Sequence, residues 1–209
     1  MGFYSDRIFP RLMDWVMGGE RFQELRRTVL APAYGAVLEI GFGTGLNLPY
    51  YPQAVTGLTV VDPATMLPSR VAARLAQALI PIKVAHLSAE RLPFEDGAFD
   101  CVVSTWTLCT IPNVSTALQE VRRVLKPDGR FLFIEHGRSD DPHVALWQDR
   151  LNPVQNVIGC GCNLNRQIDL LVTDSGFTLQ SFERFLLPGV PRLGGEMYRG
   201  VATVAAPAT

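Results

Sequence analysis

The run Val37-Leu38-Glu39-Ile40-Gly41-Phe42-Gly43-Thr44-Gly45 holds the densest chemical information in the chain. An apolar stretch ends in glycines at every second position. Such glycines let the backbone turn sharply and let a ligand approach main-chain atoms that a Cβ would block. A tight turn alone could also use them, so the spacing has to decide. A dinucleotide fingerprint needs Gly-x-Gly-x-x-Gly, whereas here the sixth position is Leu46 and Gly45 comes one place early. No Lys–Ser/Thr pair follows, which removes a P-loop. The loop therefore suits a nucleoside without a pyrophosphate. Asp62 stands about 20 residues further on, directly after Leu58-Thr59-Val60-Val61. In a parallel sheet the carboxyl ends of adjacent strands meet where ligands bind, and a carboxylate there can accept both hydroxyls of a ribose. Asp62-Pro63 could instead open a helix as a cap. The upstream glycine loop favours the ribose reading.

Acid–base and sulfur chemistry falls later in the chain. His136 ends an apolar run, where a substrate should arrive, and its ordinary pKa suits a general base. It could equally only orient a loop. His86 and His143 read as structural or solvated. The cysteines are Cys101, Cys109, Cys160 and Cys162, expected as free thiols in a reducing compartment. Cys160-Gly161-Cys162 is spaced too closely for a structural zinc pair and has no C-x-x-C or histidine cluster beside it, so no metal is expected. Cys162 reads as a packing or pocket residue, with Asn163 and Arg166 as polar pocket groups. Arg166 could also pair with Asp169 or Asp174. Trp147 reads as a wall, either of the core or of an acceptor pocket.

The elements that must position these groups follow from periodicity. Apolar residues Phe9, Leu12, Met13, Val16 and Met17 recur at helical spacing. A Gly18–Gly19 break precedes a second helix from Glu20 toward Leu30. Residues 1–33 could thus form a helical cap or lid. Strands are expected at Ala36–Ile40, Gly57–Val61, Ile82–Leu87, Asp100–Ser104 and Arg130–Glu135, and their near-continuous apolar content implies burial on both faces. Helices are expected at Leu46–Tyr51, Ala64–Ala78, Val114–Leu125, Pro142–Val157 and Asn163–Ser175, with a turn at Pro127-Asp128-Gly129. Two last strands, Phe177–Phe185 and Met197–Val204, form an edge hairpin around the loop Leu186–Gly195. Alternation of strand and helix implies a doubly wound α/β sheet in a single domain. Its cofactor-binding core is residues 36–136 and its acceptor side is 137–209.

Composition narrows the class. Of 209 residues, 47% are hydrophobic and 19% charged, which is globular rather than disordered. A formal net charge of −1 gives no reason to expect nucleic acid as a partner. The pairs Arg26–Arg27 and Arg122–Arg123 read as solvated helix faces. No signal core and no membrane-length apolar run is found, so a cytoplasmic protein without stable membrane insertion is expected, with loose surface contact left open.

Taken together, these stretches resemble the class I S-adenosylmethionine-dependent methyltransferases, through the type 11 methyltransferase domain. The matching segments are Leu38 to Gly45, Val61-Asp62-Pro63, Ala89-Glu90-Arg91-Leu92-Pro93-Phe94, Phe99 to Ser104, and Glu120 to Gly129. The resemblance implies a Rossmann-like, seven-stranded, mostly parallel sheet with an antiparallel C-terminal hairpin and helices on both faces. It implies S-adenosylmethionine as cofactor. Glu39, Gly41, Phe42, Gly43, Gly45, Asn47 and Thr105 would lie at its amino-acid end, Asp62 and Pro63 at the ribose, and Met66, Ser88, Ala89 and Glu90 around the adenine. Ser88 stands where the family often has Asp. Further motifs, Thr107-Leu108-Cys109-Thr110, Glu135-His136, Trp147-Gln148 and Gly161 to Arg166, resemble the subgroup of animal alkyl-thiol S-methyltransferases. Those enzymes carry a membrane anchor ahead of the domain, which is not seen here. The subgroup shades into bacterial enzymes acting on quinones or phospholipids. The implied acceptor is a small, fairly apolar molecule such as a thiol, facing Leu108, Cys109, Trp147, Cys162, Asn163 and Arg166. An amine, quinone or phospholipid headgroup, a non-catalytic scaffold, and a nucleotide-dependent oxidoreductase are the competing readings.

Overall fold

The computed structural model describes residues 2–64 and 66–205. The apolar runs form β1 (Gly35–Ile40), β2 (Val55–Val61), β3 (Ile82–Ala85), β4 (Phe99–Thr105) and β5 (Leu125–His136). Neighbours among these five pair in parallel. The last two strands, β6 (Phe177–Leu186) and β7 (Glu196–Val204), are antiparallel to each other, and β7 is antiparallel to β5. The seven-stranded sheet runs β3-β2-β1-β4-β5-β7-β6.

Strand β1 sits in the middle, and Ile40 at its end is level with Val61 and Ser104. Residues just beyond, including Gly41, Asp62 and Thr105, therefore meet at one edge, where the strand order reverses direction. Both faces of the sheet are covered. One is packed by α4 (Val114–Val124) and α6 (Ile168–Asp174), with Leu118, Val121 and Ile168 against Phe131 and Phe133. The other is packed by α2 (Glu20–Leu30) and α3 (Pro68–Ala76), with Leu30 and Val71 in the cluster that holds Val37, Val60 and Ile134. Burial on both sides is why β1, β4 and the second half of β5 show no polar alternation, whereas β3, expected to be buried on both faces, lies at the sheet edge with Lys83 and Val84 exposed. The remaining helices are α1 (Phe9–Met17), preceded by a π-helical turn at Tyr4–Ile8, α5 (Pro142–Ile158) and the short α7 (Arg192–Gly195).

Several elements are shorter than periodicity implies. The helix expected over Leu46–Tyr51 is only a 3-10 turn, Leu48–Tyr50, between Gly45 and Pro52. The helix expected from Ala64 starts at Pro68, after Leu67 has taken a left-handed backbone with φ of 44°. The helix expected from Asn163 starts at Ile168, because the side chains of Asn163 and Arg166 are committed to a neighbouring loop. The turn at Pro127-Asp128-Gly129 survives as a bulge: Phe99 pairs with Leu125 and Cys101 with Arg130, so the residues between leave the ladder. Among the described residues no helix is long and apolar enough to cross a membrane.

Candidate active site

A cavity of about 460 Å³ opens at the carboxyl ends of β1, β2 and β4, a size typical of small-molecule sites. Glu39, Gly41, Phe42, Gly43, Asn47 and Thr105 line it, as do Asp62, Pro63, Met66, Ser88 and Ala89. Two glycines shape it. Gly41 has φ of 75°, and a Cβ there would stand 2.0 Å from the Thr107 hydroxyl, so only glycine allows the loop after β4 to close over β1. Gly43 has φ of 57° and nothing within 4 Å of a Cβ position, so its bare backbone faces open space. Gly45 lies behind the Phe42 ring, outside the lining.

Asp62 binds this loop. Its Oδ2 accepts the Gly43 amide at 2.8 Å and its Oδ1 accepts the Ala64 amide at 2.9 Å. Since α3 begins at Pro68, Asp62 does not cap it. Burial raises its pKa, partly offset by the two amides and by His86. Glu39 is buried beneath, its Oε1 accepting from Asn47 at 2.9 Å and its Oε2 from the Tyr51 hydroxyl at 2.7 Å. Burial lifts the Glu39 carboxyl to about 7, against the pull of Tyr51, Asn47 and Arg26. Asn47 also accepts from Arg26 Nε at 3.0 Å and donates to Thr105 at 3.0 Å. Arg26, expected on a solvated face, is buried, donates to the Met17 carbonyl at 2.6 Å and lies over the Trp106 ring. Burial lowers its pKa to about 10. The sequence did carry a signal, because Arg26 shares one helical stripe with Phe22, Val29 and Leu30. Arg123 likewise is no free surface charge: it bonds Glu120, Asp96 and the Leu92 and Phe94 carbonyls.

Helix α1 forms one wall through Phe9, Pro10, Met13, Asp14 and Met17. Asp14, which stands at i+4 from Pro10 on that inward stripe, is buried; it accepts from the Thr44 hydroxyl at 2.5 Å and Arg74 at 2.6 Å, and also pairs with Arg70. Burial opposes its charge, but these donors win and hold its pKa below the ordinary value. Asp14→Ala should strip α1 of its anchor, leaving Thr44 and Arg74 short of a partner at about 1–3 kcal/mol. Limited proteolysis should then cut α1 faster. An unchanged digestion pattern and melting temperature would show that Asp14 does not anchor the helix.

At the opposite end, sequence-distant groups converge. Asn163 donates to the Cys109 carbonyl from its backbone at 3.0 Å and from its side chain at 2.9 Å. Asn152 accepts from the Leu164 amide at 2.7 Å, and Arg166 donates to the carbonyls of Leu108 and Ile111. These bonds stitch residues 159–166 to the loop after β4. They place Cys162 beside Cys109 and set its Sγ 3.1 Å from His136 Nε2. Hydrogen bonding from Cys109, then from His136, brings the Cys162 pKa well below the ordinary value despite burial, while Cys109 is driven up. Burial disfavours charge on His136, yet its bond to Cys162 and the charges of Cys162 and Glu135 raise its pKa. Buried Glu135, which sequence reasoning assigned no role, holds the loop by accepting from Ser104 at 2.9 Å and from the amides of Thr107 and Leu108 at 2.9 and 3.0 Å.

Besides Gly45, five expected site residues lie outside the cavity. Leu108 is fully buried core, and Asn163 and Arg166 serve the stitching just described, outside the cavity lining. Arg166 spends its guanidinium on those carbonyls rather than on Asp169 or Asp174. Glu90 is spent on the Asn113 amide at 2.7 Å and the Ser88 hydroxyl at 2.9 Å. Trp147 is 52% exposed beneath Arg150 and walls neither core nor cavity. Its neighbour Gln148 turns inward instead, donating to the Gly137 carbonyl at 2.9 Å and accepting from Ser139 at 2.8 Å.

Comparison with known proteins agrees with this architecture. A family model described as a methyltransferase domain matches residues 38–133. Human thiol S-methyltransferase TMT1A is 33% identical over 142 residues, which is 63% of this chain and 55% of that protein. Phosphatidylethanolamine N-methyltransferase of Cereibacter sphaeroides is 30% identical over 60% of this chain and 62% of its own length. The chain thus spans little more than half the length of the thiol methyltransferases it matches. Among solved structures, 1,6-didemethyltoxoflavin-N1-methyltransferase of Burkholderia thailandensis, with S-adenosylhomocysteine bound, has a TM-score of 0.68 at 18% identity, covering 95% of this chain and 84% of that one. YcgJ of Bacillus subtilis has a TM-score of 0.67 at 17% identity, covering 88% and 98%. The switch-point cavity, the glycine loop bonded to an acid after β2, and these matches together identify residues 38–133 as a methyltransferase domain of the class I S-adenosylmethionine-dependent kind.

Proposed function

We propose that the protein transfers a methyl group from S-adenosylmethionine to a small, fairly apolar thiol. The observation that carries the reading is one cavity bordered by the bare backbone of Gly43, by Asp62 bonded to that backbone, and by buried Glu39. In this reading Glu39, Asn47 and the glycine loop hold the amino-acid end of the cofactor and Asp62 its ribose. Met66, Ser88 and Ala89 border the adenine. Bound there, the cofactor supplies a methyl group on a sulfonium sulfur, open to in-line attack. The chain's own part is to fix the acceptor on that line, and such orientation can supply roughly 7–11 kcal/mol. The apolar face of α1 keeps water from the acceptor.

The likeness to thiol S-methyltransferases supports a thiol acceptor. So does chemistry, since a thiol is partly ionised near neutral pH and needs little help from a base. The test pairs calorimetry against S-adenosylmethionine and NAD with labelled-methyl transfer to thiols, amines, phenols and quinols. Thiols should exceed every other class in kcat/KM by at least about tenfold, a barrier difference of about 1.4 kcal/mol. Turnover of an amine or quinol in preference would overturn the acceptor assignment, and binding of NAD alone would overturn the cofactor.

A further inference from the structure

We propose that Cys109, His136 and Cys162 form a three-ligand site for a divalent ion of the zinc class, with the fourth coordination position open to the cavity. The close spacing of Cys160 and Cys162 argues against a metal when read along the chain. In the fold, Cys162 is instead partnered by residues from two other segments. One ligand atom each from Cys109 (Sγ), His136 (a ring nitrogen) and Cys162 (Sγ) all lie within 4.8 Å of one another, and His136 Nε2 stands 3.1 Å from Cys162 Sγ. Tetrahedral zinc with bonds of about 2.3 Å to sulfur and about 2.0–2.1 Å to nitrogen needs ligand–ligand edges of roughly 3.5–3.8 Å. The triangle fits that size with small side-chain adjustments.

The donor set is the right kind. Two sulfurs and one imidazole suit zinc rather than magnesium or calcium. Both cysteines are free of disulfides, and Cys160 lies outside the cluster. Three protein ligands with an open position is the arrangement of reactive rather than structural zinc. The backbone holds the set rigidly: the 159–166 loop is bonded to the Cys109 carbonyl, and His136 terminates β5. All three residues line the same cavity as Asp62 and Gly43.

The open position has a use that rests on the methyl-transfer reading. An acceptor thiol bound there would ligate the ion as thiolate, its proton passing to bulk water. Its sulfur would then form a bond to the methyl carbon as the sulfonium carbon–sulfur bond breaks, the electron pair staying with the departing thioether sulfur. The methylated product is a neutral thioether and loses the charge that held it.

The test uses the full chain, reduced and stripped with a chelator, titrated with Co²⁺ and then Zn²⁺. One equivalent of Co²⁺ should give sulfur-to-cobalt charge-transfer absorption and the visible bands of tetrahedral cobalt, bleached by Zn²⁺. Cys162→Ser and His136→Ala should weaken uptake by about tenfold or more, whereas Cys160→Ser should leave the spectrum intact. Because Cys109 is buried, Cys162→Ser carries the decision if Cys109→Ser fails to fold. No charge-transfer band, or an undiminished one in Cys162→Ser, overturns the site. Adding a small thiol should shift the cobalt bands, and an unmoved spectrum overturns the acceptor position. S-adenosylmethionine calorimetry on the same samples keeps the two ideas apart: metal uptake without cofactor binding upholds the site and removes the methyl-transfer reading.

Discussion

Asp62→Ala should weaken S-adenosylmethionine binding by at least about tenfold while leaving the melting temperature nearly unchanged. The size follows from the contacts at stake. A hydrogen bond to a charged group contributes roughly 1.5–3 kcal/mol, and about 1.4 kcal/mol is a factor of ten in affinity. Asp62 has already given one lone pair per oxygen to the amides of Gly43 and Ala64, which leaves further lone pairs for ribose hydroxyls. The stability expectation rests on the position of α3, which begins at Pro68, so no helix loses its cap. The freed Gly43 amide borders the cavity and can be hydrated. Asp62→Asn keeps the shape but not the charge, and should fall between wild type and alanine. Calorimetry at fixed pH reads all three proteins. Unaltered affinity in Asp62→Ala would exclude the ribose contact, and a large drop in melting temperature would make Asp62 a structural brace.

The parts of this fold that were legible are those set by local sequence. The strands β1, β2, β4, β6 and β7 follow from short apolar runs bounded by turn residues, and each falls within two residues of its expected limits. Gly41 and Asp62 were also legible, because a backbone turn and a strand-end acid are specified by neighbours in the chain. What was hidden depends on rotation about a helix or on distant pairing. Trp147 and Gln148 differ by one position, about 100° around a helix, and the sequence does not say which one α5 turns inward. Arg26 reads as charge in isolation; its burial needs Asn47 and the Met17 carbonyl, each supplied by another segment. The cluster of Cys109, His136 and Cys162 needs β5 beside β4 and a loop stitched back by Asn163 and Arg166. Only the sheet order creates it.

That division has a mechanistic consequence. The cofactor half proposed above is built on strand ends and one loop, so its geometry is fixed by the sheet itself. The acceptor half proposed above is assembled from α1, the loop after β4 and the 159–166 segment, each held by a few polar anchors. Substrate choice can therefore change through those anchors with the sheet intact, which is how one fold carries many chemistries. Asp14 is such an anchor on one wall and Arg166 on the other.

Cofactor affinity should also fall as the solution is acidified through pH 7, and Glu39 should be the cause. Burial raises its carboxyl from 4.5 to about 7 in the free protein. Below that value it is neutral and cannot attract the ammonium of the cofactor, which itself stays charged below about 7.7. Binding should therefore weaken between pH 7 and pH 5.5, with a slope approaching about tenfold per pH unit. Stability should move the opposite way. A folded-state pKa above the unfolded one gives stability that is full below 4.5 and is lost as pH rises through about 7. At about 1.4 kcal/mol per pKa unit, the charged buried carboxylate costs the free protein on the order of 3 kcal/mol above pH 7. Glu39→Gln removes that charge. Its amide can still accept from Asn47 while donating to Tyr51, whose hydroxyl is free to rotate. The variant should melt higher than wild type at pH 7.5 and bind S-adenosylmethionine at least about tenfold more weakly there. At pH 5.5 the two proteins should nearly converge in affinity. Calorimetry and thermal melts across this range decide it. A wild-type affinity that is flat from pH 5.5 to 7.5 would mean that Glu39 does not meet the ammonium. The carboxylate would then be a destabilising charge held by Asn47 and Tyr51.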